Sequence, residues 1–114
     1  MKIYIDQGHN PRNPNAGAEG NGLREQDITY KVGVELAEDL QAAGIETRLS
    51  RPLPTISLGT SNASSLAARV NDANSWGADY FISLHTNASE IESASGSEGL
   101  VYALGTRAAV LSEN

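Results

Sequence analysis

Apolar positions along the chain recur with strand-like and helix-like periods in turn. Lys2-Ile-Tyr-Ile-Asp6 is short and rich in β-branched and aromatic residues, which predicts a first strand. The pattern breaks at Gln7-Gly8-His9, where Gly8 suits a tight turn. A loop rich in Gly, Asn and Pro then runs to about Gly22. Ile28, Val32, Leu36 and Leu40 recur at every fourth position, and Ala37 and Ala43 extend their face. That spacing predicts an amphipathic helix, stopped by Gly44. Ile45 to Ser50 alternates weakly and predicts a second strand, closed by Arg51-Pro52.

Residues 52 to 61 form a second loop, and one of its serines or Asn62 can cap the helix that follows. Leu66, Val70 and Ala73 mark that helix's apolar face, and Gly77 ends it. Residues 79 to 84, DYFISL, are nearly all apolar, as in a strand buried on both faces. A polar, Ser-rich loop covers 86 to 98, a fourth strand covers 99 to 104, and a third helix begins at Thr106.

The order β-α-β-α-β-loop-β-α predicts a layered α/β sandwich, with a mostly parallel central sheet and helices on both faces. The fourth strand follows a loop rather than a helix, so its direction is open and a mixed sheet is compatible. The pattern stops inside the last helix without a cap or glycine stop, so the domain is expected to continue past Asn114.

Composition narrows the function. A length of 114 residues bounds the chain to one domain. No apolar run approaches the ~20 residues that span a bilayer. The N-terminus lacks the signal-peptide pattern, which leaves the compartment open. The absence of cysteine removes disulfides, thiolate metal ligands and a cysteine nucleophile. A net charge of −6, with Lys and Arg scattered, argues against a nucleic-acid partner.

Candidate chemistry centres on the two histidines in the chain. His9 follows the first strand and His85 ends the third. In an open parallel sheet those strand ends share one edge, where ligands bind. The start of the first helix, Gly22-Leu23-Arg24-Glu25, must return to the same edge. Two imidazoles and a carboxylate form the ligand set of several catalytic zinc sites. Each residue also has a plainer reading. A histidine at a strand end is commonly structural, and Glu25 suits the positive end of a helix dipole. Asp6 either orients His9 by a hydrogen bond or ends the strand. Glu90, Glu92 and Glu98 read as solvated loop residues.

Six motifs in order resemble the zinc-dependent N-acetylmuramoyl-L-alanine amidases, the peptidoglycan amidases of the amidase_3 type. They are Asp6-Gln7-Gly8-His9 for D-x-G-H, Gly22-Leu23-Arg24-Glu25 for G-L-x-E, and Ser50-Arg51 closing the second strand. Then come Leu66 to Asn74 for L-x-x-R-x-x-x-A-N, Ser83 to Ala88 for S-x-H-x-N-A, and Gly96-Ser97-Glu98 for G-[ST]-E. The resemblance implies a zinc ion held by His9, Glu25 and His85. It implies hydrolysis of the amide between the lactyl group of N-acetylmuramic acid and the L-alanine of the stem peptide. Arg69 would brace its helix against a neighbouring carboxylate or carbonyl, and Asn87 would brace the loop after His85.

One departure qualifies this. The family's catalytic glutamate, in an E-x-G-F-like segment, would lie beyond Asn114, so residues 1–114 would be an incomplete catalytic domain and the catalytic residue is unassigned. The missing part would also leave an apolar edge or face exposed. The expected partner is peptidoglycan. The expected place is the bacterial cell wall or the cell exterior, in remodelling, sporulation or phage lysis. The rival is a non-catalytic wall-binding module that keeps the fold and the metal. A weaker third reading is another metallohydrolase of similar fold, such as a carboxypeptidase.

Overall fold

The computed structural model describes residues 1–20 and 22–85, together with the backbone of the strand at 100–105. Six strands and two helices are described: β1 (Lys2–Gln7), β2 (Glu19–Gly20), β3 (Leu23–Arg24), α1 (Glu25–Ala42), β4 (Glu46–Leu49), α2 (Asn62–Trp76), β5 (Tyr80–His85) and β6 (Leu100–Gly105). The main sheet has the order β4-β1-β5-β6. β1 pairs in parallel with both β4 and β5, and its register sets Asp6 opposite Ser83. β6 runs antiparallel to β5, which settles the direction that the sequence leaves open. β2 and β3 form a small separate antiparallel ribbon inside the predicted first loop.

Strand alternation divides the core between two helices. Ile3 and Ile5 of β1 point to the α1 side and cluster with Ala37 and Leu84. Val32, Leu36 and Leu40 of α1 pack against that cluster, as their spacing predicts. Burying each of these isoleucines contributes about 1.5–3 kcal/mol. Tyr4 points to the α2 side and packs with Ala73 and Ala78. Its ring stacks on Phe81 at a centroid distance of 5.4 Å. The predicted sandwich with helices on both faces is the observed one.

Helix ends follow local chemistry. Ser61 caps α2 by accepting from the Ser64 amide, and Ser64 returns the bond in a capping box. Gly77 closes α2 in the left-handed conformation at φ 84°. Glu25 and Asp27 occupy the first turn of α1, where the helix dipole favours acids.

Three packing expectations are corrected. DYFISL is not buried on both faces: only Leu84 of β5 is fully buried, while β1 is buried over Ile3 to Gln7. The reason is that α1 lies over β1 and β4 more than over β5. Leu66 and Val70 do not form the inner face of α2; they are 53% and 46% exposed. Ser65, Arg69 and Ala73 face inward instead, because part of what α2 covers is the polar end of β1. Ala43 does not extend the inner face of α1, since it is the exposed residue that caps the helix end.

The loop at 86–98, with Asn87, Glu90, Glu92 and Glu98, and the helix expected from Thr106 lie outside the described residues. Among the described residues no helix is long and apolar enough to cross a membrane.

Candidate metal centre

Parallel pairing makes β1 and β5 run out at the same sheet edge. His9 lies just past the end of β1, and His85 is the last residue of β5. Glu25 is the first residue of α1, delivered to that edge by the β2–β3 ribbon. Its backbone amide donates to the Ala18 carbonyl at 2.9 Å, which fixes the helix start against the loop. The three side chains converge. His9 Nε2 lies 3.1 Å from Glu25 Oε2, and His85 Nδ1 lies 3.5 Å from the same oxygen. The imidazoles meet edge to face, with centroids 5.2 Å apart. One potential ligand atom from each residue lies within 4.8 Å of the others.

The backbone is shaped around this cluster. His9 takes the left-handed conformation at φ 73°, which costs a non-glycine residue about 1–2 kcal/mol. The tight turn that the sequence assigns to Gly8 is therefore made by His9. Gly8 serves close approach instead. A Cβ there would sit 2.5 Å from the Leu84 carbonyl oxygen and 2.7 Å from the His85 ring. Gly17 does the same on the other side, where a Cβ would meet Glu25 Cβ at 2.8 Å. Backbone hydrogen bonds donated by the Gly8 amide to Leu84 O at 3.0 Å and by the Asn10 amide to Asn15 O at 2.8 Å flank the His9 turn.

Each ligand candidate is held by its far side. His9 Nδ1 is 3.0 Å from Asn15 Oδ1. The Asn15 amide is oriented in turn by donating to Ser65 Oγ at 3.1 Å. His85 Nε2 is 3.0 Å from Ser83 Oγ, which donates to Asp6 Oδ2 at 2.9 Å. Glu25 Oε1 accepts from the Ala18 amide at 3.3 Å, leaving Oε2 toward the histidines. The hydrogen bond to Glu25 is the largest cause holding the His9 imidazolium above the usual histidine range, against the opposing effect of burial. Two nitrogens and one carboxylate oxygen facing inward, with the outer atoms engaged, are the donor set that a divalent metal takes. The residues therefore fit a metal ion.

Behind the cluster lies a buried polar network. Arg69 donates to Asp6 Oδ1 at 2.8 Å, to the Gln7 carbonyl at 2.6 Å and to Asn10 Oδ1 at 2.9 Å. It ties α2 to both a carboxylate and a carbonyl of β1. Arg51 reaches the same Gln7 carbonyl at 3.3 Å and the Gln26 carbonyl at 2.7 Å. Burial, reinforced by Arg69, pushes the Arg51 guanidinium down to about 10. Asp6 plays neither role that the sequence leaves open: it turns to Arg69 and Ser83, and Asn15 is the residue that holds His9.

Sequence reasoning assigns no role to Asn15, Asn10 or Ser83. Asn10 is fully buried and bonds to Pro14, Leu58 and Arg69, all brought to it by the fold. Asn15 carries no signal beyond its place in a Pro- and Asn-rich loop. Ser83 did carry one: strand alternation puts it on the same face as His85. Asn87 lies outside the described residues and has no place in this description.

Comparison with known proteins agrees with this geometry. A family model described as N-acetylmuramoyl-L-alanine amidase, Amidase_3, matches residues 3–112. The chain is 37% identical over 104 residues to the sporulation-specific N-acetylmuramoyl-L-alanine amidase of Bacillus subtilis, covering 90% of this chain and 36% of that protein. It is 32% identical over 107 residues to the germination-specific amidase of the same organism, covering 88% of this chain and 44% of that protein. It thus spans less than half the length of either relative. Among solved structures, the amidase AmiC2 of Nostoc punctiforme superposes with a TM-score of 0.62 at 30% identity, over 76% of this chain and 44% of that one. With motifs, topology and site geometry in agreement, the chain belongs to the amidase_3 family of N-acetylmuramoyl-L-alanine amidases.

Proposed function

We propose that this chain is the metal-holding part of a zinc-dependent amidase acting on peptidoglycan. The bond cleaved would be the amide between the lactyl group of N-acetylmuramic acid and the L-alanine of the stem peptide. The observation that carries this reading is the convergence of His9, Glu25 and His85 at the strand edge of an amidase_3 domain. His9 Nε2, Glu25 Oε2 and His85 Nδ1 would be the ligand atoms. When bound, zinc would supply Lewis-acid chemistry, polarising an amide carbonyl and acidifying water.

The chain's own residues supply position. Asn15 and Ser83 hold the outer nitrogens of the two rings, and Ala18 holds the outer oxygen of Glu25. Arg51 and Arg69 fix the Gln7 carbonyl, two residues ahead of His9. Asp6 has both oxygens engaged, by Arg69 and Ser83, so it is assigned no proton-transfer role. The place of action proposed is the bacterial cell wall.

The test is release of stem peptide from purified peptidoglycan, with and without added zinc, read by mass spectrometry. Peptides beginning with free L-alanine, formed only with zinc, support the amidase. Zinc-dependent wall binding without release supports the non-catalytic module, and a cut inside the peptide supports a carboxypeptidase-like activity.

A further inference from the structure

We infer that Ser83 is a positioning residue that selects the ring tautomer of His85 and so decides which of its nitrogens is free for the metal. The inference deepens the proposed metal site and rests on that reading for its link to zinc. Asp6 and Ser83 are direct partners across β1 and β5, and His85 is two residues on from Ser83, on the same face. All three side chains therefore line up: Asp6 Oδ2 to Ser83 Oγ at 2.9 Å, and Ser83 Oγ to His85 Nε2 at 3.0 Å.

A serine hydroxyl has one proton to give and two lone pairs. Asp6 accepts at both oxygens, since Oδ1 is taken by Arg69, an obligate donor, at 2.8 Å. The Ser83 proton is thus committed to Asp6 Oδ2. What Ser83 offers His85 is a lone pair, so Nε2 must carry the ring proton. The Nδ1 lone pair is then free, and Nδ1 is the nitrogen that faces Glu25 Oε2 at 3.5 Å. The opposite assignment would turn a hydroxyl lone pair toward a buried carboxylate oxygen.

His9 differs: its Nδ1 lies beside the Asn15 side-chain oxygen and its Nε2 beside Glu25 Oε2, so both of its nitrogens face acceptors, whereas His85 presents Nδ1. The line Arg69–Asp6–Ser83–His85 thus ties a buried ion pair between α2 and β1 to the orientation of one ring.

Long-range nitrogen–proton NMR on the metal-free chain, labelled at histidine nitrogen, reads this directly. It has two histidines to assign. The expected result is protonated Nε2 in His85. Ser83→Ala should mix the His85 tautomers, leave His9 unchanged and weaken zinc binding about 10- to 100-fold. Ser83→Thr, which keeps the hydroxyl, should restore both. A wild-type His85 protonated at Nδ1, or an unchanged His85 tautomer in Ser83→Ala, overturns the inference. Failure of the wild type to bind zinc with the expected tautomer present would instead count against the proposed metal site alone.

Discussion

Arg69 and Asp6 form a buried ion pair at 2.8 Å, with side chains only 1% and 5% exposed. Removing one partner leaves the other charge buried and uncompensated. Arg69→Met is expected to destabilise the chain by about 3–5 kcal/mol, measured by denaturant unfolding. Adding Asp6→Asn to that variant should recover part of the loss, because the orphaned charge is gone. Equal losses in the single and double variants would show that the pair is not the source.

Gly8 should tolerate no side chain. Gly8→Ala forces a methyl toward the Leu84 carbonyl and the His85 ring. The expected stability cost is about 1–3 kcal/mol. Zinc affinity should fall about 10- to 100-fold as the ring is displaced. Unchanged affinity in a folded Gly8→Ala protein, measured by competition with a chelator, would contradict the geometry of this edge.

Metal-free stability should carry a pH signature of His9. Its folded pKa lies above the ordinary value, chiefly because of Glu25. The His9–Glu25 contribution is therefore fully present below pH ~6.5 and is lost as pH rises through the raised folded value. In chelator, the Tm difference between wild type and His9→Gln should shrink across that window. With zinc the trend reverses, since proton and metal compete for the same pair. A chelator-treated difference that grows with pH would contradict the assignment.

Ser61→Ala tests the capping box of α2. Loss of the capping bond to Ser64 should cost about 1 kcal/mol in thermal or denaturant unfolding.

Elements read by local rules were legible in the sequence. The first strand, the spacing of Val32, Leu36 and Leu40, and the Gly77 stop all appear as expected. Parallel topology alone was enough to bring His9 and His85 to one edge, and the start of the first helix had to return there with Glu25. The hidden parts depend on what a residue meets after folding. Leu66 and Val70 look like a core stripe until one sees that α2 covers the Asp6 carboxylate and the Gln7 carbonyl, which need Arg69. Asn10 and Asn15 gain their roles only when the loop folds back on itself and onto α2. The left-handed conformation falls on His9 although its neighbour is a glycine, and that glycine serves close approach to Leu84 and His85 instead.

His9, Glu25 and His85 are proposed to hold one metal ion between them. The most direct measurement of this is a zinc titration of the metal-free chain, followed by calorimetry and by metal analysis after dialysis. The account predicts binding of about one zinc per chain. That binding should be lost or greatly weakened in each of His9→Ala, Glu25→Gln and His85→Ala, with all three variants still folded. No binding by the wild type, or undiminished binding in any of those variants, would contradict it.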